Sequence, residues 1–341
     1  MRARRSTWLL VIATNIGLIA AGLAASELHL RSRPAQVSLF YVPDKELGWA
    51  PARNVSQTFT ATDEGGTSYR IDFKTNPDGF REWGNPDANR PKILVVGDSF
   101  TGDPNSSNDE AYFGILKSSL DAEIFAVGGT GYGTLQELIM VQRYVGRIKP
   151  DILLLQFCAN DFANNSIELE DLFIVRNQKN LRPYWVDDEI RYRNAYIYRF
   201  LYKHSHLFRN LDDRLMGLQF KYYNDLSAPT DPVSNAKAMD RAEAITATLL
   251  HQMAASVGLG SRLATFNCNT GGADLTDRWI RVATSAGFLV WPEISGEVEA
   301  QERQGKTLRT YHHWSPAGHR IVAAELTKRL QPLLQEIRAH K

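Results

Sequence analysis

The stretch at residues 92–101 constrains the fold of this chain more than any other. Residues 93–96 are four consecutive apolar residues, three of them β-branched, which predicts a short buried strand. The run stops at Gly97-Asp98-Ser99 and so leaves a serine just past the end of the strand. In open α/β sheets, ligands bind at this end of the strands. A plain turn without chemistry remains the alternative until the rest of the chain is considered.

Strands and helices alternate after this point. Strands are predicted at 93–96, 123–127, 152–158, 262–267 and 288–291, with helices at about 109–121, 134–148, 234–257, 275–286 and 295–304 and a last helix from Pro316 onwards. This alternation is typical of a parallel, doubly wound sheet, in which successive strands end at the same edge. We therefore expect the residues that follow each strand to meet there.

Glycine and asparagine follow the second and third strands. The cluster at 128–133 lacks the glycine order and the Lys-Ser/Thr ending of nucleotide-binding loops. Its other use is a bare backbone N–H beside a reacting atom, and Gly131 is the candidate for that role. The side chain of Asn160 offers a second donor at the same edge. The alternative for Asn160 is a plain loop start, which asparagine also favours.

Three histidines surround the start of the last helix. A histidine on a loop at this edge is placed to act as general base for Ser99, and we select His313 for that role. His312 is the competitor. His319 falls inside the predicted helix, where we expect it to pack or cap.

The ordered set resembles the motifs of the SGNH, or GDSL-type, hydrolase superfamily. In that family a serine in Gly-Asp-Ser, a glycine, an asparagine and a histidine near the C-terminus occur in this order, and here they are Ser99, Gly131, Asn160 and His313. The resemblance covers residues 92–341. It implies a flavodoxin-like three-layer sandwich with a mostly parallel five-stranded sheet, and ester chemistry that needs neither a cofactor nor a metal.

The chain departs from the family pattern just before the histidine. The family places an acid two or three residues earlier, where this chain has Tyr311 and Thr310. The imidazole is then oriented either by a backbone carbonyl, as a Ser-His dyad, or by a carboxylate from elsewhere. Glu293 and Asp161 are the candidates for that carboxylate.

The N-terminus reads as a membrane anchor or an export signal. Three arginines precede an apolar run at residues 8–25, which approaches the length of a membrane-spanning helix. We favour an uncleaved signal anchor over a cleaved signal. Clustered arginines stay cytoplasmic, so the rest of the chain is expected in the periplasm or outside the cell, in a single-pass inner-membrane topology. Arg31 and Arg33 weaken this orientation.

The chain divides into three parts. Residues 1–33 are the anchor and its tether, residues 34–91 form a small β-rich extension with a hairpin, and residues 92–341 form the main domain. An aromatic and basic stretch at about 162–235 interrupts the alternation. We interpret it as a largely helical insertion that covers the site.

Composition limits the classes of partner. A formal net charge of +1 over 341 residues gives no reason to expect nucleic acid as a partner. The two cysteines, Cys158 and Cys268, show no zinc-site spacing. We interpret them as small buried residues, with a disulfide as the less favoured alternative.

These observations predict a serine esterase outside the inner membrane that acts on a small-molecule or glycan ester. One alternative is a periplasmic O-acyltransferase that modifies a surface glycan, because the last motif also resembles that of such enzymes. Another is a catalytically degenerate glycan-binding protein, motivated by the missing acid.

Overall fold

A computed structural model describes residues 2–32, 40–102, 104–172, 180–193, 196–223, 232–258, 260–269 and 272–340. Helix α1 spans Arg2–Ser32 and is followed, after residues outside this description, by the β-rich extension. The window Leu10–Ser32 is long and apolar enough to cross a membrane, and none of it is buried against the rest of the protein. The tether predicted at the end of residues 1–33 is helical as far as Ser32, because α1 continues through it. Pro34 lies outside the described residues.

The extension consists of two hairpins and a short edge strand. The strands are β1 Tyr41–Asp44, β2 Gly48–Pro51, β3 Ser56–Thr62, β4 Ser68–Lys74 and β5 Glu82–Trp83. The antiparallel pairing of β3 with β4 confirms the predicted hairpin. Strand β5 was not predicted. It pairs antiparallel with the outer edge of the main sheet and covers it.

The first half of the main domain follows the predicted alternation. Its elements are β6 Lys92–Gly97, α2 Ser99–Gly102, α3 Tyr112–Ser119, β7 Glu123–Gly128, α4 Thr134–Ile148 and β8 Ile152–Phe157. Helix α3 begins three residues later than expected, since the chain first forms a turn around Asn108. Helix α4 has the predicted bounds.

The insertion is not wholly helical. It contains α5 Asp161–Asn165, α6 Ile167–Asp171, β9 Pro183–Val186, β10 Glu189–Tyr192, α7 Tyr196–His204 and α8 His206–Tyr223. The hairpin of β9 and β10 was not predicted. Positive φ angles at Asp187 (51°) and Asp188 (61°) form its tight turn. Residues 173–179, 194–195 and 224–231 of the predicted insertion lie outside the described residues.

The last part returns to the alternation. It comprises α9 Pro232–Ser256, β11 Arg262–Asn267, α10 Ala273–Ser285, β12 Leu289–Val290, α11 Glu293–Arg303, β13 Arg309–Thr310, β14 His313–Trp314 and α12 Pro316–His340. Among the described residues, the central sheet has six strands in the order β12-β11-β8-β6-β7-β5, and β5 alone of them is antiparallel. The α/β class and the mostly parallel sheet are confirmed. The predicted number of five strands is wrong by the edge strand from the extension.

Helices cover both faces of the sheet. Successive residues of β6 alternate between the two cores: Leu94 and Val96 face α4, α9 and α10, whereas Ile93 and Val95 face α3, α11 and α12. This gives the three layers that the family resemblance implies. It also leaves the carboxyl edge of β6, β7 and β8 for the residues that follow these strands.

The two cysteines form a disulfide. Cys158 follows β8 and Cys268 follows the neighbouring β11, and their Cα atoms are 5.3 Å apart. Both are buried, at 1% exposure. The favoured interpretation as unlinked buried residues is therefore wrong. Only the parallel pairing of two strands far apart in sequence brings them together, which no local pattern shows.

Candidate active site

Ser99 lies on a tight turn between β6 and α2. The turn needs glycine at position 97, because a Cβ there would lie 2.6 Å from Thr101 Oγ1 and 2.7 Å from Gln156 Oε1. The backbone carbonyl of Asp98 accepts hydrogen bonds from Thr101 N and Gly102 N, which closes the turn. Ser99 opens the helix, so its own N–H is one of the donors that have no partner within the helix. The predicted strand, break and serine are all found here.

His313 meets Ser99 across 214 positions of sequence. Its Nε2 lies 2.8 Å from Ser99 Oγ. The histidine lies on the hairpin of β13 and β14, whose two turn residues, Tyr311 (φ 49°) and His312 (φ 67°), both have positive φ. Two such residues form a type I′ turn, which matches the twist of the strands it joins. The turn residues are not glycine or asparagine, so sequence reasoning predicted a loop here.

The same turn orients the imidazole. His313 Nδ1 lies 3.0 Å from the carbonyl oxygen of Tyr311, so this nitrogen donates and Nε2 accepts from the serine hydroxyl. The Phe100 ring packs on the imidazole with a centroid distance of 4.7 Å. A backbone carbonyl is thus one of the two orienting groups that the sequence left open.

The two candidate carboxylates have other partners. Glu293 Oε1 accepts from Arg329 at 2.6 Å. Asp161 is fully buried, and its Oδ2 accepts from Thr134 Oγ1 at 3.5 Å. These contacts give no support to either residue as the partner of His313.

The other two histidines are not at the serine. His312 is exposed, and its Nδ1 lies 3.7 Å from Glu64. His319 is buried in α12, where its Nδ1 accepts a hydrogen bond from Tyr112 N at 3.3 Å. Burial, the positive charge of Arg81 and the proximity of His313 lower the pKa of His319 to about 3, so it is neutral. The structure brings only His313 of the three to Ser99.

The carboxylate of Asp98, in the serine turn, links Asn160 to Tyr132, the residue that follows Gly131. Asn160 Nδ2 donates to Asp98 Oδ2 at 2.8 Å, and Tyr132 N donates to Asp98 Oδ1 at 3.0 Å. Asn160 is exposed at the rim of the site. Its amide carries two N–H groups, so the second can serve an incoming oxyanion. Gly131 adopts a φ of 70°, which favours glycine there.

Side chains that sequence reasoning missed hold the Gly131 loop from one side. Asn164 Nδ2 donates to the Gly131 carbonyl at 3.3 Å, and Arg182 Nη1 donates to the same oxygen. Arg182 comes from the insertion, is 3% exposed, and pairs with Glu170 at 3.1 Å. A single buried arginine in a long basic stretch gives no signal in the sequence.

The extension holds the same loop from the other side. Tyr41 Oη accepts from Thr130 N at 2.8 Å, and Trp49 Nε1 donates to the Thr130 carbonyl at 3.1 Å. The guanidinium of Arg182 lies 5.1 Å from the centroid of the Trp49 ring. Both additions to the α/β domain therefore contact the loop that carries the oxyanion candidate.

Buried carboxyl groups lie behind this loop. Both carboxyl oxygens of Glu137 and Oδ1 of Asp161 are buried and find no hydrogen-bond partner within the described residues. Burial, together with the nearby charge of Asp98, raises the pKa of Glu137 well above its ordinary value. Burial and the proximity of Glu137 and Asp98 do the same for the pKa of Asp161. Both groups are more stable here as neutral acids, because an unpaired buried carboxylate is costly.

The arrangement supplies the parts of nucleophilic acyl transfer. A serine hydroxyl, a base that bonds to it, an acceptor that fixes the imidazole tautomer, and N–H donors lie at one edge of the sheet. Within the described ranges, no group of three or more histidine, cysteine or carboxylate side chains is arranged to hold a metal ion.

Comparison with known proteins gives structural neighbours only. No family model and no curated protein matches the chain. Among solved structures, similarity is found to TesA (13% identity, TM-score 0.41, 71% of this chain and 99% of that one). The chain is also similar to a lipase/acylhydrolase from Enterococcus faecalis, with 13% identity and a TM-score of 0.39 over 71% of this chain and 96% of that one. A third similar structure is a catalytic mutant of Axe2, an acetylxylan esterase from Geobacillus stearothermophilus, with 15% identity and a TM-score of 0.37 over 70% of this chain and 93% of that one.

Proposed function

We propose that this protein is a serine ester hydrolase of the SGNH type. Ser99 is the nucleophile, His313 the general base, and the N–H groups of Ser99, Gly131 and Asn160 form the oxyanion hole. The observation that carries the proposal is the 2.8 Å contact between Ser99 Oγ and His313 Nε2. It joins two motifs that lie 214 positions apart in the sequence.

In the first step, Ser99 Oγ attacks the ester carbonyl while His313 Nε2 takes the hydroxyl proton. The carbonyl oxygen becomes an oxyanion and accepts hydrogen bonds from the donors at the serine turn, Gly131 and Asn160. Collapse of this intermediate breaks the bond to the alcohol, which leaves with the proton from His313. The acyl group is then bonded to Ser99.

Water completes the cycle. His313 Nε2 takes a proton from water as its oxygen attacks the acyl-enzyme, and the second oxyanion collapses to release the acid and restore the Ser99 hydroxyl. The Tyr311 carbonyl accepts from Nδ1 throughout and so holds the tautomer that leaves Nε2 free to act as base.

We also propose that α1 anchors the protein in the inner membrane with the catalytic domain on the periplasmic side. The arginines at the start of the chain support this orientation. The disulfide supports it independently, because such bonds persist in oxidising compartments and are rare in the cytoplasm. Cell-surface glycans are present on that side, so an O-acylated carbohydrate is the proposed substrate class.

Turnover of a simple aryl acetate by the purified full-length chain tests the catalytic assignment. We expect Ser99→Ala and His313→Ala to abolish hydrolysis, and Asn160→Ala to lower kcat by about a hundredfold or more, since it removes one oxyanion donor. His312→Ala is the matched control and should retain wild-type activity. Full activity in Ser99→Ala would refute the assignment.

The same assay distinguishes the alternatives. Release of free acid in water without an added acceptor supports a hydrolase. Product formation only when an acceptor alcohol is added would point to an acyltransferase. Ligand binding without any acyl-enzyme would point to a degenerate binding protein.

A further inference from the structure

The end of α1 is fixed to the insertion. Glu27 accepts hydrogen bonds from Ser205 Oγ at 2.8 Å, His206 N at 2.9 Å and Leu207 N at 2.8 Å, which caps the start of α8. Arg31 donates to the carbonyl of His204, the last residue of α7, at 2.7 Å. The apolar run of α1 ends at residue 25, just before these contacts, so an α1 that spans the membrane places the junction of α7 and α8 at its surface.

These two helices expose large apolar side chains. We call the following set the apolar face: Tyr196 (77% exposed), Ile197 (73%), Phe200 (52%), Leu211 (51%) and Leu215 (55%). The rings of Tyr196 and Phe200 stack with centroids 6.5 Å apart, so they form a continuous surface on α7. Leu211 and Leu215 are four residues apart on α8 and share one side of that helix. Scattered single exposures are ordinary, but exposed apolar groups on two adjoining helices beside an anchor indicate an interaction surface.

Basic groups lie next to this face. A cavity of about 770 Å³ between the extension and α7 has Lys45, Arg193, Arg199, Lys203 and His204 in its lining. Among the described lining residues, Asp44 is the only acidic one. Asp44 already pairs with Arg143 at 2.8 Å. Within the part of the chain that the structure describes, Lys203 has no carboxylate partner. Two other basic groups of the lining are also paired, since Arg193 lies 2.8 Å from Asp171 and Lys45 lies 3.7 Å from Glu46. Arg199 and Lys203 therefore supply the positive charge that an anionic ligand would meet in this cavity.

We propose that α7 and the part of α8 that carries Leu211 and Leu215 lie in the headgroup region of the bilayer. The apolar face then meets the boundary of the acyl chains, and the basic cavity lies against anionic phospholipid headgroups. An interfacial helix combines these features: an apolar side, basic residues beside it, and aromatic rings at the boundary. The proposal rests on the membrane anchor of the proposed function. It implies that α1 and the insertion together fix the catalytic domain in one orientation on the membrane.

Nitroxide labels can test this contact on the full-length protein in nanodiscs of phosphatidylethanolamine and phosphatidylglycerol. The described residues contain no free cysteine, so a single introduced cysteine is a unique labelling site. We choose Ile197→Cys on the apolar face, Leu18→Cys in α1 and, as matched exposed control, Leu289→Cys (44% exposed) on β12. Power saturation compares collision with oxygen, which enriches in lipid, and with a nickel chelate, which stays in water.

We expect the labels at positions 18 and 197 to favour oxygen and the control to favour the nickel chelate. Lys203→Gln should reduce the docked-to-undocked ratio seen at position 197 roughly fivefold, because it removes one basic group near an anionic surface. A label at 197 that behaves like the control, while the one at 18 is in lipid, would overturn the proposal and leave the anchor intact. Nickel access at position 18 would refute the anchor itself. A label at 197 shielded from both reagents would show that a protein covers the face and would also overturn it.

Discussion

The disulfide between Cys158 and Cys268 should supply a large share of the stability of the fold. It closes a loop with a sequence separation of 110 residues. The loop-entropy relation assigns such a cross-link about 4.8 kcal/mol at 25 °C. That value rivals the net stability of many domains, which is about 5–15 kcal/mol. The double variant Cys158→Ala/Cys268→Ala should therefore unfold at a much lower denaturant concentration.

Guanidinium unfolding of the full-length chain in detergent, followed by tryptophan fluorescence, measures this difference. We expect the double variant to lose about 2–5 kcal/mol of unfolding free energy. Wild-type protein treated with a reductant should show a similar loss, which separates the cross-link from the change of side chain. Cys158 is two residues before Asn160, so the bond also holds the strand end that carries an oxyanion donor. We therefore expect the double variant to lose esterase activity at a lower denaturant concentration than the wild type.

Two results would refute this reasoning. One is a difference in unfolding free energy below about 0.5 kcal/mol, the size of an ordinary surface substitution. The other is the titration of two free thiols in denatured protein that has never been reduced.

Three further predictions concern the site and its surroundings. Tyr311→Ala should keep kcat within about threefold of wild type in steady-state assays, because the group that contacts His313 is the backbone carbonyl, which the substitution retains. A loss of kcat of about 10⁴-fold, as large as that from removing a member of a catalytic triad, would contradict this prediction. Burial raises the pKa of Glu137 above its ordinary value of 4.5, so this group favours the folded state fully below pH 4.5 and loses that effect as the pH rises. Glu137→Gln should therefore flatten the fall of unfolding free energy with pH, by up to about 1.4 kcal/mol per pH unit in denaturation curves. An unchanged slope would contradict this prediction. Arg182→Met should cost about 3–5 kcal/mol of unfolding free energy, because it leaves Glu170 without its buried partner. It should also lower kcat, because Arg182 holds the Gly131 loop, and Arg182→Lys should recover part of the stability and part of kcat. Wild-type kcat in Arg182→Met would refute the positioning role.

The sequence was most informative where local pattern and topology agree. Apolar runs bounded by Gly97, by the glycine cluster and by Asn160 define strands whose ends must meet at one edge, and the order of the motifs then selects Ser99 and His313. Parallel pairing follows from the alternation of strand and helix, so the central sheet was predictable within one or two residues at most strand ends.

Contacts between distant segments were not predictable. The edge strand β5 and the contact of Arg182 with the Gly131 carbonyl each join residues that the sequence gives no reason to pair. The disulfide was the less favoured of two interpretations, because only the pairing of β8 with β11 brings the two cysteines together. The turn at Tyr311 and His312 was missed for a different reason. Two non-glycine residues there adopt positive φ because the pairing of β13 with β14 and the packing of Phe100 on His313 hold them, and no residue propensity shows this.

Covalent labelling shows whether Ser99 is an activated nucleophile. Full-length protein should be incubated with a fluorophosphonate probe, and intact-mass spectrometry with peptide mapping should locate the adduct. We expect one adduct, on Ser99, that disappears in His313→Ala and persists in His312→Ala. Folded protein without an adduct, or with labelling at another residue, would contradict it.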